Sequence, residues 1–331
     1  MNRYAGEYNP KYEVNRGDVL ISWSASLGVY VWQGEKALLN QHIFKVIFDK
    51  CDVDKSFYVH QVAAILEKAA SQAHGATMKH LTKPVFDALP FYLPDLPTQQ
   101  RIADTLDKVS EGIGLCRKML GELDLMVKAK FGEMFGDPVS NEREWNVETL
   151  NDVCTEIGDG LHGTPEYDDN GEYPFINGNN LINGAIEITP ATKKVNAEIY
   201  KKHYIDISAN ALLLSINGTL GKLAFYNGEK VMLGKSACYC NFKPEINRAF
   251  VYGVMKTEAF AGFLEKSATA STIKNVGLKA IRGYKLIMPP QALQMQFIEF
   301  SNQVDKSKLA VKQSLEKLET LKKSLMQEYL G

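Results

Sequence analysis

The chain has 331 residues, 45% hydrophobic and 23% charged, with 38 basic side chains against 39 acidic ones. This is the balance of a folded globular protein with room for about two cores. A net charge of −1 excludes a protein that coats nucleic acid by bulk charge, although a local basic face remains open. No apolar run reaches the roughly 20 residues that a membrane helix needs, and residues 1–6 carry no apolar leader core, so a cytoplasmic protein without membrane contact is expected.

In chain order, the first stretch is β-rich. Gly17-Asp18-Val19-Leu20-Ile21-Ser22 reads as an apolar strand, and Trp23-Ser24-Ala25-Ser26-Leu27-Gly28 as the small polar turn after it. Residues 57–73 follow with a helical pattern, then Lys79, His80 and Lys83 with His74 close by. Residues 98–135 contain no proline, and Ile102, Leu106, Val109, Ile113, Cys116, Leu120, Leu123 and Val127 alternate by four and three. That spacing is a heptad seam, and Asp137-Pro138 is expected to end the helix.

A second β-rich stretch runs from Trp145 to Pro289, with Asn-Gly pairs that read as tight turns. Residues 151–180 hold seven acids and no lysine or arginine, so this stretch either points away from DNA or accepts hydrogen bonds from cytosine amino groups. Residues 248–267 are helical in pattern. The last helix, 292–330, carries Phe297, Val304, Val311, Leu315, Leu318, Leu325 and Tyr329 at compatible heptad spacing. Each long helix would measure about 55–60 Å at 1.5 Å per residue. A single seam of that length needs a partner, and the two helices are expected to pair side by side and antiparallel.

The chain repeats itself at about 195 residues. Gly17 to Gly28 matches Asn210-Ala211-Leu212-Leu213-Leu214-Ser215-Ile216-Asn217-Gly218-Thr219-Leu220-Gly221. Gly34-Glu35-Lys36 matches Gly228-Glu229-Lys230, and Leu93-Pro94 with Gln99 matches Met288-Pro289 with Gln294. The first copy holds only the latter part of the pattern and opens at a position matching about Lys202. A truncated start, a subunit completed by another chain, and an artificially shortened form all fit that departure.

Catalytic inventories are missing. A methyltransferase would need a glycine-rich loop for its methyl donor and an Asn/Asp-Pro-Pro-aromatic tetrad, but Pro289-Pro290 stands between Met288 and Gln291. The stretch from Gly228 to Ser236 puts five residues between its glycines where a phosphate-binding loop wants four, and Asn40-Gln41-His42 replaces Gly234-Lys235-Ser236 in the first copy. The five cysteines include no CxxC pair. Cys238 and Cys240 share one strand face and read as buried apolar residues. Asp168-Asp169 near His162 reads as a solvated turn rather than a metal site. No metal or cofactor is expected.

Binding surfaces are better represented. Residues 266–285 carry Lys266, Lys274, Lys279, Arg282 and Lys285, no acid, and Ser267, Thr269, Ser271, Thr272 and Asn275 between them. Such residues contact phosphates and base edges, although an ordinary basic surface strand has the same composition. The candidate DNA contacts are Lys222, Lys266 and Lys274 for phosphates, and Asn217, Thr219 and Thr272 nearer the bases. Ser271 and Asn275 stand beside them, with Lys79 at the matching place in the first copy. The competing view makes Asn217 and Thr219 parts of a hairpin turn.

Two β-rich units, each followed by a long helix that Leu93-Pro94-Asp95-Leu96-Pro97-Thr98-Gln99 or Met288-Pro289-Pro290-Gln291-Ala292-Leu293-Gln294 announces, resemble the specificity subunit of type I restriction–modification systems. Trp145-Asn146-Val147-Glu148-Thr149-Leu150, Tyr173-Pro174-Phe175-Ile176 and Asn179-Asn180-Leu181-Ile182-Asn183-Gly184 are similar to the family's opening pattern. The resemblance implies α/β (α+β) target-recognition domains in internal repeat, separated by two long helices paired as an antiparallel coiled coil. It divides the chain into a partial first domain (1–93), a first spacer helix (94–137), a complete second domain (145–289) and a second spacer helix (290–331). Pairing falls to Ile102, Leu106, Val109, Ile113, Leu120, Leu123, Val304, Val311, Leu315 and Leu318. The implied partners are double-stranded DNA, methyltransferase subunits that hold S-adenosylmethionine, and restriction subunits. The subunit itself would do no chemistry. The alternative is a structural or inhibitory protein that docks on the methyltransferase without reading DNA.

Overall fold

The computed structural model describes residues 6–22, 27–72, 86 and 88–330. The chain forms two units, one from residues 1–122 with 308–331 and the other from 123–307, so each long helix contributes to both. The expected basic cluster at Lys79, with His74, His80 and Lys83, lies outside the described residues, as does the turn from Trp23 to Ser26.

The first unit opens with β1 (Glu13–Val14), β2 (Val19–Ser22), β3 (Gly28–Val31), β4 (Ala37–Leu38) and β5 (Ile43–Lys45). β1 pairs with β4, and the other three form a sheet in the order β3-β2-β5, antiparallel throughout. The helix α1 (Lys55–Gln72) follows, then α2 (Leu96–Phe135). Val19, Leu20 and Ile21 are buried because β2 is the central strand. Phe57 of α1 packs with Ile102, Ala103 and Leu106 of α2 and with Leu325, Met326, Tyr329 and Leu330 near the C-terminus.

The second unit begins at the close of α2. Gly136 (φ 75°) takes the left-handed conformation that glycine tolerates, and its N–H reaches the Gly132 carbonyl at 2.9 Å. The helix therefore ends one residue before the expected Asp137-Pro138 stop. Trp145 Nε1 donates to the Phe135 carbonyl at 2.9 Å and ties the next segment to that end. Then come β6 (Asn146–Thr149), α3 (Leu150–Val153), β7 (Cys154–Asp159), β8 (Tyr173–Ile176), β9 (Leu181–Ile182), β10 (Ala185–Ile186), β11 (Lys194–Val195) and α4 (Ala197–Lys202). β12 (Ala211–Ser215), β13 (Leu223–Phe225), β14 (Met232–Leu233) and β15 (Ala237–Phe242) continue the sheets. Last are α5 (Arg248–Met255), α6 (Glu258–Ser267), α7 (Leu278–Arg282), β16 (Lys285–Met288) and α8 (Gln291–Leu330). Residues 248–267 form two helices because Thr257 caps a new one, accepting from Phe260 N–H.

The main sheet of this unit has the order β13-β12-β15-β7. Every residue of β12 and β15 is buried, since layers cover both faces of these strands. Alternation sends Cys238 and Cys240 to one core with Cys154, and Tyr239 to the other. Contact with Cys240 and burial both push the Cys154 and Cys238 thiols up. They behave as small apolar residues. β9 and β10 form a two-residue hairpin whose turn is Asn183-Gly184, both at positive φ.

The repeat is a structural one. β2 lies between antiparallel partners β3 and β5, and β12 likewise between β13 and β15. Trp32 N–H donates to the Asp18 carbonyl at 2.9 Å, and Tyr226 N–H to the Ala211 carbonyl at 3.3 Å, at matching positions. The long helices run antiparallel. In the first unit Ile102 shares a cluster with Tyr329 and Leu330, and Leu318 packs on Gly112, its Cδ1 3.2 Å from where a Cβ would stand. In the second unit Phe131 and Phe297 meet edge to face at 5.4 Å. Ile102, Leu106, Val109, Ile113 and Val304 are buried, while Leu120, Leu123, Val311, Leu315 and Leu318 are half-buried.

Candidate nucleic-acid interface

The site lies in the second unit where β12 leaves its sheet. Ser215 is fully buried, and its hydroxyl donates to the Thr219 carbonyl at 2.6 Å while accepting Lys222 N–H at 2.8 Å. Gly221 N–H returns to the Ser215 carbonyl at 3.0 Å. One side chain thus cinches residues 215–222 into a tight loop, with Gly218 and Gly221 at positive φ. The space around Gly218 is open within 4 Å of where a Cβ would stand.

This loop is joined to the basic stretch. Val276 N–H donates to the Ile216 carbonyl and Gly218 N–H to the Lys274 carbonyl, both at 2.9 Å. Asn217 faces Asn275 across this short antiparallel bridge, and Asn217 Nδ2 donates to Asn275 Oδ1 at 3.2 Å. The two places singled out in the sequence therefore form one edge. Val276 and Ile281 are buried beneath it and anchor the segment to the core.

The hydroxyls of the loop shape it from within. Thr269 Oγ1 accepts Asn275 N–H at 3.2 Å and lies 2.8 Å from Ser271 Oγ. Ser271 Oγ donates to the Ile273 carbonyl at 2.6 Å. Ser271 is thereby a loop-forming residue. Thr219, Thr272 and Lys266 are exposed, while Lys222, Asn217 and Asn275 are half-buried. Ile273 is 63% exposed, a large apolar side chain amid polar ones. Lys274 forms an ion pair with Glu265 at the end of α6. Arg282 turns its guanidinium to the Ile157 carbonyl at 2.6 Å and so holds α7 to β7.

The acidic run is largely spent on local structure. Asp152 closes a capping box with Thr149, and those hydrogen bonds hold its carboxyl below the ordinary range. Glu156 accepts the Tyr239 hydroxyl at 2.8 Å, Asp159 pairs with His162 at 2.8 Å, and Asp168 accepts Asn170 N–H at 2.9 Å. The stretch from Gly228 to Ser236 is strand and turn. Gly234 N–H donates to the Ile176 carbonyl at 2.8 Å and Lys235 N–H to the Leu161 carbonyl at 3.0 Å. Those amides are not turned toward a phosphate. Among the described residues no group of three or more His, Cys, Asp or Glu side chains is arranged to hold a metal ion.

Two features were missed in the sequence. Glu265 is one, because an acid nine residues before Lys274 falls just outside the acid-free run. The other is a basic, aromatic surface around α4, where Lys193, Lys201 and Lys202 are exposed. There Tyr173 and Tyr200 stack at 3.9 Å with Tyr204 beside them. Its signal was two lysine pairs, Lys193-Lys194 just before a short helix and Lys201-Lys202 in its last turn.

Residues 2–124 and 142–321 both match the model of the type I restriction modification DNA specificity domain. The chain belongs to that family. Its two matched segments are the two copies of the repeat. This specificity subunit is 19% identical over 358 residues to the type I restriction enzyme EcoBI specificity subunit of Escherichia coli, spanning 98% of this chain and 75% of that protein. Its fold is similar to the type I restriction–modification S subunit from M. genitalium, with a TM-score of 0.55, 14% identity, and coverage of 96% of this chain and 83% of that one. A second chain, from a structure of complex assembly and conformational transition in the type I system, gives a TM-score of 0.57 at 15% identity, with 96% and 82% covered. As a specificity subunit, the chain is a DNA-binding, target-recognising protein, and none of its described helices is long and apolar enough to cross a membrane.

Proposed function

We propose that the chain reads a split DNA target in the cytoplasm, each β-rich segment (1–93 and 145–289) addressing one half, with the paired helices (94–137 and 290–331) setting the gap. The helices also dock methyltransferase subunits, to which restriction subunits add, and all chemistry resides in those partners. Within the second domain, Lys222, Lys266 and Lys274 hold phosphates, while Asn217, Thr219 and Thr272 stand nearer the bases. Ser271 and Asn275 stand with them on the DNA-facing side, and Lys79 serves the first segment.

The observation that supports this reading most is the joining of residues 216–218 to residues 274–276. It gathers amides, hydroxyls and lysines at one edge carried on a buried strand, the combination that phosphate and base contacts need. The test is a mobility-shift selection on random duplex pools, with and without methyltransferase subunits. Enrichment of a defined bipartite sequence is expected. Methyltransferase binding with no sequence enriched would instead make the chain a docking protein that does not read DNA.

A further inference from the structure

We propose that Asn217 and Asn275 act together as one reading element for an adenine, and that Ile273 contacts the methyl group of the thymine paired with it. This rests on the reading that residues 215–219 and 266–275 face DNA. A primary amide carries one acceptor oxygen and one donor nitrogen. In the observed pair, Asn217 Nδ2 and Asn275 Oδ1 are engaged with each other at 3.2 Å. The Asn217 oxygen and the Asn275 nitrogen are not used in this bond, so the pair keeps an acceptor on one side chain and a donor on the other, besides the second N–H of Asn217 and the second lone pair of Asn275. Exchanging N and O in both amides leaves the same complement, so the conclusion does not depend on how they are oriented.

Among the bases, adenine alone shows a donor (N6–H) beside an acceptor (N7) in the major groove. Guanine shows two acceptors there and would set O6 or N7 against the Asn217 oxygen. The thymine of the same pair adds an exposed methyl, for which an apolar side chain is the fitting contact. Ile273 is 63% exposed, two residues from Asn275. The frame is fixed beforehand. Gly218 N–H on the Lys274 carbonyl and Val276 N–H on the Ile216 carbonyl hold the two backbones at 2.9 Å, so the amides lose little freedom on binding. The other polar groups in this loop are less suited, because Thr269 and Ser271 spend their hydroxyls on each other and on the Ile273 carbonyl. Gly218 leaves the approach open.

The experiment uses the full chain assembled with its methyltransferase subunits and the duplex obtained by selection. Each adenine is replaced in turn by 7-deazaadenine, which lacks the N7 acceptor, and each thymine by uracil, which lacks the methyl. The wild-type chain is expected to lose about tenfold in affinity at one adenine and a smaller factor at the thymine opposite. Asn217→Ala and Asn275→Ala should each relax the preference at that position, and Asn275→Ala, which lacks the donor that meets N7, should lose no further affinity with 7-deazaadenine there. Ile273→Ala should be indifferent to uracil. If Lys266→Ala and Lys274→Ala weaken binding while every 7-deazaadenine duplex binds the wild type unchanged, the adenine assignment is overturned and the DNA-facing edge stands. If the lysine variants also change nothing, the edge itself is misplaced and the assignment falls with it. The analogue series on the unaltered chain decides the matter even where an asparagine variant fails to fold.

Discussion

Gln99 and Gln294, at matching positions of the two repeats, make the same hydrogen bond: each donates Nε2 to the carbonyl of the proline five residues before it, Pro94 at 2.7 Å and Pro289 at 2.8 Å. Both side chains are buried. The bond fastens the extended segment to the first turn of each long helix, where backbone groups lack intrahelical partners. Gln99 also accepts Asp54 N–H at 2.9 Å and so reaches the segment that starts α1. The expectation is that Gln99→Ala and Gln294→Ala each cost about 1–3 kcal/mol, the penalty for leaving a partly or fully buried polar group unmet. Glutamate at either place should not rescue, because it cannot donate when ionised. Calorimetric unfolding of the four variants checks this, and unchanged transitions would show that the bond is incidental.

That pair explains why the architecture was legible in the sequence. The Pro-to-Gln interval, the apolar strand ending in serine and the heptad seams are patterns that each repeat within a short run of sequence, even where, as in the seams, the partner lies far along the chain. Ser215 cinching its own loop is of the same kind. The geometry of the candidate site was less legible because it is made by distant partners. Asn217 and Asn275 are 58 residues apart and meet only after β12 and α7 have packed. Nothing in the run of residues 266–285 announces that Lys274 is held by Glu265, since that pairing depends on how the chain turns after α6. Lysines also entered the helix seam unannounced. Lys308 and Lys322 are half-buried at heptad positions where the apolar pattern has gaps.

The helix pairing has a graded energetic signature. Leu106 is fully buried among Phe57, Ile102 and Leu330, whereas Leu315 is half-exposed on its helix. Leu106→Asp should therefore cost about 3–5 kcal/mol, the expense of an unpaired charge in an apolar seam. Leu315→Asp should cost markedly less, because its carboxylate can turn toward water. Thermal unfolding of both proteins measures the difference. Equal losses would mean that exposure along α2 and α8 does not govern the pairing.

His60 predicts a pH dependence in the first unit. It is buried on α1, with Nε2 2.7 Å from Asp107 of α2, and Ser56 Oγ donates to the same carboxylate at 2.6 Å. Burial lowers the imidazole pKa below 6.5, outweighing the raising effect of Asp107 and Asp54 and reinforced by Lys322. The unfolded chain then binds a proton more readily than the folded one. This contribution to stability is full well above the ordinary histidine value and falls as pH drops through it. The wild-type melting temperature should decline from about pH 7.5 to about pH 5.5 more steeply than that of His60→Gln. Parallel curves for the two proteins would remove His60 as the cause.

The ion pair between Lys274 and Glu265 makes the last prediction, because it sets a competitor beside the edge proposed to meet DNA. Both side chains are largely solvated, at 49% and 60% exposure, so the pair contributes little to stability. A phosphate arriving at Lys274 must displace the Glu265 carboxylate or bear its repulsion. Glu265→Gln removes the charge while keeping the shape, and it frees the ammonium. Binding should tighten about two- to fivefold across all sequences at low salt, because the phosphate at Lys274 no longer competes with the carboxylate. Lys274→Ala should act oppositely, weakening binding uniformly and flattening the salt slope by about one. Combined with Lys274→Ala, the glutamine variant should recover only the small part due to lost repulsion. Titrations of the assembled complex on target and scrambled duplexes, over a range of salt, distinguish these outcomes. If Glu265→Gln binds with unchanged affinity while Lys274→Ala weakens, the lysine reaches phosphate without leaving its carboxylate, and the competition does not exist.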